Sequence, residues 1–155
     1  MRASIWMLLA TMLLVTVNVA PALASDKEDA MVPVRRFIDS MNKNDARGAT
    51  AAYAPQASIT DEFPPYHWIG NSAFADWVRD FEIDATKNEV TNPRVTLQNP
   101  RHVDVVGDRA YIVVPAALSF KQHGKPKTEK GAVMTFALQK YPDGWLIAGW
   151  TWTKH

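Results

Sequence analysis

The chain has no cysteine among its 155 residues. That excludes disulfides, thiolate metal sites and thiol nucleophiles, so the fold must rest on its own core. It also lacks an excess of either charge, with 17 Lys and Arg against 16 Asp and Glu. No basic block stands out, which argues against nucleic acid as a partner, and a balanced surface gives no long-range field to steer charged ligands. The four histidines, His67, His102, His123 and His155, lie far apart and share no metal-ligand spacing, so no metal is expected. There is no Gly-rich phosphate loop, no Gly-x-Ser-x-Gly and no Rossmann fingerprint, and no cofactor is expected. Beyond residue 24 no apolar run is long enough to span a bilayer.

What is present starts with an address. Met1-Arg2, an apolar run from Ile5 to Val19 and the segment Pro21-Ala22-Leu23-Ala24-Ser25 form a secretory signal peptide over 1–24, with cleavage expected after Ala24. A retained membrane anchor is the rival, but the apolar core is short for a span. The remaining 25–155 fits one periplasmic or secreted domain, with no membrane association after cleavage.

Periodicity then changes character along the chain. Met31, Val34, Phe37, Ile38 and Met41 form one apolar stripe, and the spacing predicts a regular helix starting near Pro33. Asp45 is placed to cap a second helix over 46–54, closed by Pro55. Ala57 to Asp61 predicts a short strand stopped by Pro64-Pro65. Asn71 or Ser72 caps a third helix whose Phe74, Trp77, Val78, Phe81 and Ala85 keep a 3.6-residue period. From Glu89 the pattern is strand-like, with a bend at Pro100, tight turns at Gly107-Asp108 and Pro142-Asp143-Gly144, and a polar loop over 122–127. In the last strand Trp145, Ile147 and Gly149 alternate with Leu146, Ala148, Trp150 and Trp152, apolar on both faces. That predicts a second cover for the sheet, which a homodimer through the outer sheet face supplies, unless strong curvature covers it within one chain.

Three helices followed by meandering strands that end in Gly144-Trp145-Leu146-Ile147-Ala148-Gly149-Trp150 resemble the nuclear transport factor 2-like superfamily, and within it the SnoaL-like (polyketide-cyclase-like) branch. Ala57-Ser58-Ile59-Thr60-Asp61-Glu62-Phe63-Pro64-Pro65, Trp68-Ile69-Gly70 and Phe74-Ala75-Asp76-Trp77 carry the likeness most specifically, which covers about Val32 to Lys154. The resemblance implies an α+β fold, a cone-shaped, strongly curved antiparallel sheet wrapped round the N-terminal helices (cystatin-like), with an apolar pocket. Members include isomerases, dehydratases, cyclases, epoxide hydrolases and proteins without catalysis, so fold alone does not decide function. Aligned with the steroid isomerases of the superfamily, Asp61 falls at the general base. Their oxyanion donors fall at Phe37 and Met134, neither of which can donate a hydrogen bond, so that isomerisation is not expected.

Asp61 is the candidate catalytic base, because burial among aromatics raises a carboxyl toward a useful range; its competing role is a turn or cap. Glu62 is expected to point the other way, into solvent. His67 is the second catalytic candidate, folded back past the prolines toward Asp61, or else a surface residue. Candidate ligand-binding residues are Tyr53, Phe63, Tyr66, Trp68, Trp77, Phe81, His102 and Tyr111, several of which also suit plain core packing. Three functions follow: a binding module for a small apolar or aromatic ligand, a lyase, isomerase or hydrolase using Asp61, and an interaction domain with its cone filled by side chains.

Overall fold

Helical stripes and a long run of antiparallel hairpins build two layers, with the sheet curling over the helices. The computed structural model describes residues 20–154, so most of the expected leader lies outside the described residues. Helix α1 (Ala20–Asn42) buries Met31, Val34, Phe37 and Ile38. It does not start at Pro33 but runs through it. The proline forfeits one backbone bond, and the buried Ala30, Met31 and Val34 on either side keep the helix continuous.

Helix α2 (Ala46–Thr50) is capped by Asp45, which accepts from Gly48 N at 2.9 Å. It ends earlier than its composition suggests, because strand β1 (Tyr53–Thr60) already pairs with the last strand, β7 (Gly144–Thr153). Pro55 lies where that parallel pairing shifts register, so its missing N–H costs no ladder bond. A turn follows in which Tyr66 N donates to Phe63 O at 2.8 Å and Asp61 N donates to Tyr66 O at 3.1 Å. It returns the chain as β2 (His67–Gly70), a four-residue strand antiparallel to β1. Helix α3 (Ala73–Lys87) follows its period, burying Phe74 and Trp77 and partly burying Val78 and Phe81.

The remaining strands are β3 (Val90–Leu97), β4 (His102–Val106), β5 (Arg109–Gln122) and β6 (Lys125–Tyr141). The sheet order is β2-β1-β7-β6-β5-β3, with β4 also on β5. The polar segment 122–127 is almost all strand, reversed by His123 and Gly124 at positive φ. The inner face carries Ile59, Ile112, Val114, Phe136, Leu138 and Ile147, all nearly or fully buried.

One irregularity decides what the sheet shows to each side. Leu138 pairs with Ile147 and Ala137 with Gly149, so β7 carries an extra residue, Ala148, at a β-bulge. The bulge resets the alternation. Trp150 and Trp152, paired with Phe136 and Met134, therefore face inward on the same side as Ile147. The expectation of Trp150 and Trp152 on the face opposite Ile147 is corrected here, and the outer face is less apolar for it. Across the outer face a register row runs His67, Thr60, Thr151, Thr135, Val113, His102.

Candidate functional site

A cavity of about 870 Å³ opens at one end of the wrapped sheet. The C-terminal half of α1, the inward stripe of α3, strand β3 and the ends of β5, β6 and β7 enclose it, and the β1–β2 turn forms its lip. Its aromatic wall is Phe37, Phe63, Trp77, Phe81, Phe120, Trp150 and Trp152. The helical period sets Trp77 and Phe81 one turn apart, and their rings stack with centroids 5.5 Å apart. Trp150, aimed inward by the bulge, meets Trp77 edge-on at 5.3 Å.

Asp61 follows the last residue of β1, on the same side as the buried Ile59. Its Oδ2 accepts from Trp77 Nε1 at 2.9 Å and its Oδ1 from Glu62 N at 2.7 Å. Burial pushes the Asp61 carboxyl from its ordinary 3.8 up to about 6, against the pull of those two bonds, which favour the ionised form. A half-buried carboxylate poised near neutrality on a cavity wall can take up or release a proton, or anchor a hydrogen-bond donor.

Glu62 is exposed, as expected, but is ion-paired. It reaches Lys154 Nζ at 2.9 Å, and Glu129 Oε2 lies 3.5 Å from the same ammonium. The Glu62 bond holds the Lys154 ammonium above its ordinary value. All three side chains line the cavity mouth. The ion pair of Glu62 was not legible, and Lys154 and Glu129 carry no local signal, since the fold of the sheet brings them together. Trp150 and Trp152 were hidden by the bulge.

Of the other candidates, Phe63, Trp77 and Phe81 line the cavity and the rest do not. Tyr53 lies behind the wall, stacked on Phe74 at 4.7 Å, its hydroxyl accepting from Trp150 Nε1. Burial raises its phenol well above the ordinary value. Trp68 is buried under α3 and donates from Nε1 to Asp80 Oδ2 at 2.8 Å. Tyr66 is exposed at the turn. His67 pairs with Thr60, on the outward side of β1, and its Nε2 lies 3.0 Å from Ser58 Oγ, so the expected Asp61–His67 pair does not form. His102 and Tyr111 also fall on the outer face, because their inward neighbours are Val103 and Ile112; His102 Nε2 lies 2.6 Å from Asp104 Oδ2. Phe37 and Met134, at the aligned oxyanion positions, are both buried at the cavity and offer it no donor. Among the described residues no group of three or more His, Cys, Asp or Glu is placed to hold a metal ion.

The same architecture recurs in solved structures. A nuclear transport factor 2-like protein with a cystatin-like fold from Novosphingobium aromaticivorans matches with a TM-score of 0.70 at 14% identity, over 86% of this chain and 84% of that one. A nuclear transport factor 2-like superfamily protein from Salmonella enterica matches at 0.69 and 16% identity, over 84% and 92%. A ketosteroid isomerase-like protein from Erwinia carotovora atroseptica matches at 0.64 and 14% identity, over 83% and 95%. Likeness at this identity shows the fold alone. No curated protein matches the sequence. The SnoaL-like domain family matches residues 33–151, and the chain belongs to that family.

Proposed function

We propose that the cone is a receptacle for one small hydrophobic, aromatic-bearing molecule, held by ring contacts with Asp61 as its polar anchor. The observation that carries this reading is the aromatic-lined cavity of about 870 Å³, within the roughly 300–1,000 Å³ of small-molecule sites. A cone plugged by its own tryptophans would leave no such volume. A screen of aromatic compounds by thermal shift tests it: several should raise the melting temperature, and Phe81→Ala should weaken those shifts. A flat response across a broad library would reject the reading.

A second reading, proton-transfer catalysis by Asp61, is favoured by one observation, the carboxyl raised to about 6 at the cavity wall. It predicts loss of turnover in Asp61→Asn with folding intact. Phe37 and Met134 supply no donor at the aligned oxyanion positions, so any enolate would have to be met by another donor of the lining, such as Lys154 or Asn42.

We also propose export with cleavage after Ala24, which N-terminal sequencing of the secreted protein tests, and pairing of two copies through the outer sheet face. Among the described residues no helix is long and apolar enough to cross a membrane. Ile69 and Tyr111, 68% and 49% exposed on that outer face, support the pairing.

A further inference from the structure

The residues lining the cavity are strongly unbalanced in charge although the chain is not. Five carboxylates line the cavity, Asp61, Glu62, Glu82, Asp84 and Glu129, against one cation, Lys154, and the lining holds neither arginine nor histidine. That lysine is already shared between two of the carboxylates, at 2.9 Å from Glu62 and 3.5 Å from Glu129. Glu129 Oε2 is shielded from solvent and accepts no hydrogen bond among the described residues. Deeper in, each Asp61 oxygen accepts one protein N–H and keeps a further lone pair for another donor. Beside it stand the Trp77 indole, whose N–H edge donates to Asp61 and whose faces stack on Phe74 and Phe81, and the Phe63 ring, centred 6.3 Å from Trp77. A half-buried carboxylate on an aromatic wall, with further carboxylates at the mouth, suits an organic ammonium: the carboxylate takes the N–H and the rings pack on the apolar part of the ligand. The same lining repels a carboxylate or phosphate ligand.

We infer that the ligand is an organic cation, an aromatic or hydrophobic amine whose ammonium docks at Asp61. The inference rests on the binding reading above and narrows it to one chemical class.

Three probes sharing one skeleton separate the two: 2-naphthylmethylamine, 2-naphthylmethanol and 2-naphthoate, titrated into the purified protein at pH 7.5 by calorimetry. The amine should bind at least about tenfold more tightly than the alcohol, the scale of replacing a neutral hydrogen bond to Asp61 by a charge-assisted one, about 1.4 kcal/mol, and the carboxylate should bind weakest. Asp61→Asn should remove most of the amine's advantage while keeping alcohol binding, and Glu129→Gln, remote from the deep wall, should reduce it by a smaller factor. Equal or tighter binding of the alcohol, or tightest binding of the carboxylate, overturns the inference and leaves the binding reading standing. No binding by any of the three overturns the inference, and the binding reading falls with it if the broad thermal-shift library is flat as well. An amine preference that survives in both variants also overturns it, since the cation would then dock elsewhere.

Discussion

Asp61 is held in an environment that disfavours its charge, and that has a consequence for stability. Its carboxyl titrates at about 6 when folded, against an ordinary value of 3.8. Between those values the folded chain binds the extra proton, so stability falls as pH rises through this window and the full cost is present above pH 6. By linkage the cost is about 3 kcal/mol at most. Chemical denaturation of the wild type and Asp61→Asn at several pH values should show the two curves diverging between pH 4 and 6.5, with the wild type losing ground. Parallel curves would show that the carboxyl is not perturbed. Trp77→Phe removes the indole bond to Oδ2, a bond that favours the ionised form, so the Asp61 titration should move upward from about 6 when followed by carboxyl NMR. A downward move would mean that the indole is not its partner.

At the scale of elements, the bulge at Ala148 and the glycine after it set the β7 wall. A Cβ on Gly149 would lie 2.7 Å from the Ser58 carbonyl, a backbone atom with nowhere to go. Gly149→Ala should therefore push β1 off β7 and cost about 1–3 kcal/mol, measured by urea unfolding; a change within experimental error would contradict the close approach. These elements also show how far the sequence could be read. Helix α3 was legible because Phe74, Trp77, Val78 and Phe81 keep one unbroken period, and the hairpin turns were legible from their glycines. The bulge was not. Alternation assumes two residues per repeat, and one extra residue carried Trp150 and Trp152 to the inner face. Pro55 and Pro33 misled in the same way, since each sits where its missing donor is tolerated: Pro55 at a register shift, Pro33 within a helix held by tertiary burial. Asp61 could be found by motif, but its indole partner and the Glu62–Lys154–Glu129 cluster required the fold.

At the scale of the whole molecule, a wrapped sheet leaves one end hollow and one face outward. The hollow collects rings and carboxylates, while the outer row centred on Thr60, Thr151 and Thr135 is weakly polar. If two copies meet there, light scattering should give twice the chain mass, and Thr135→Lys, which sets like charges against each other across a two-fold axis, should return the monomer mass. A wild type that stays monomeric at high concentration removes the pairing. The central claim, that the hollow is the binding site, is tested most directly by ¹⁵N NMR of the indole N–H groups during titration with 2-naphthylmethylamine. The account predicts movement of the Trp77, Trp150 and Trp152 signals, which line the cavity, with Trp145 and Trp68 unmoved. Shifts confined to Trp145 and Trp68, or none at all up to millimolar probe, would contradict it.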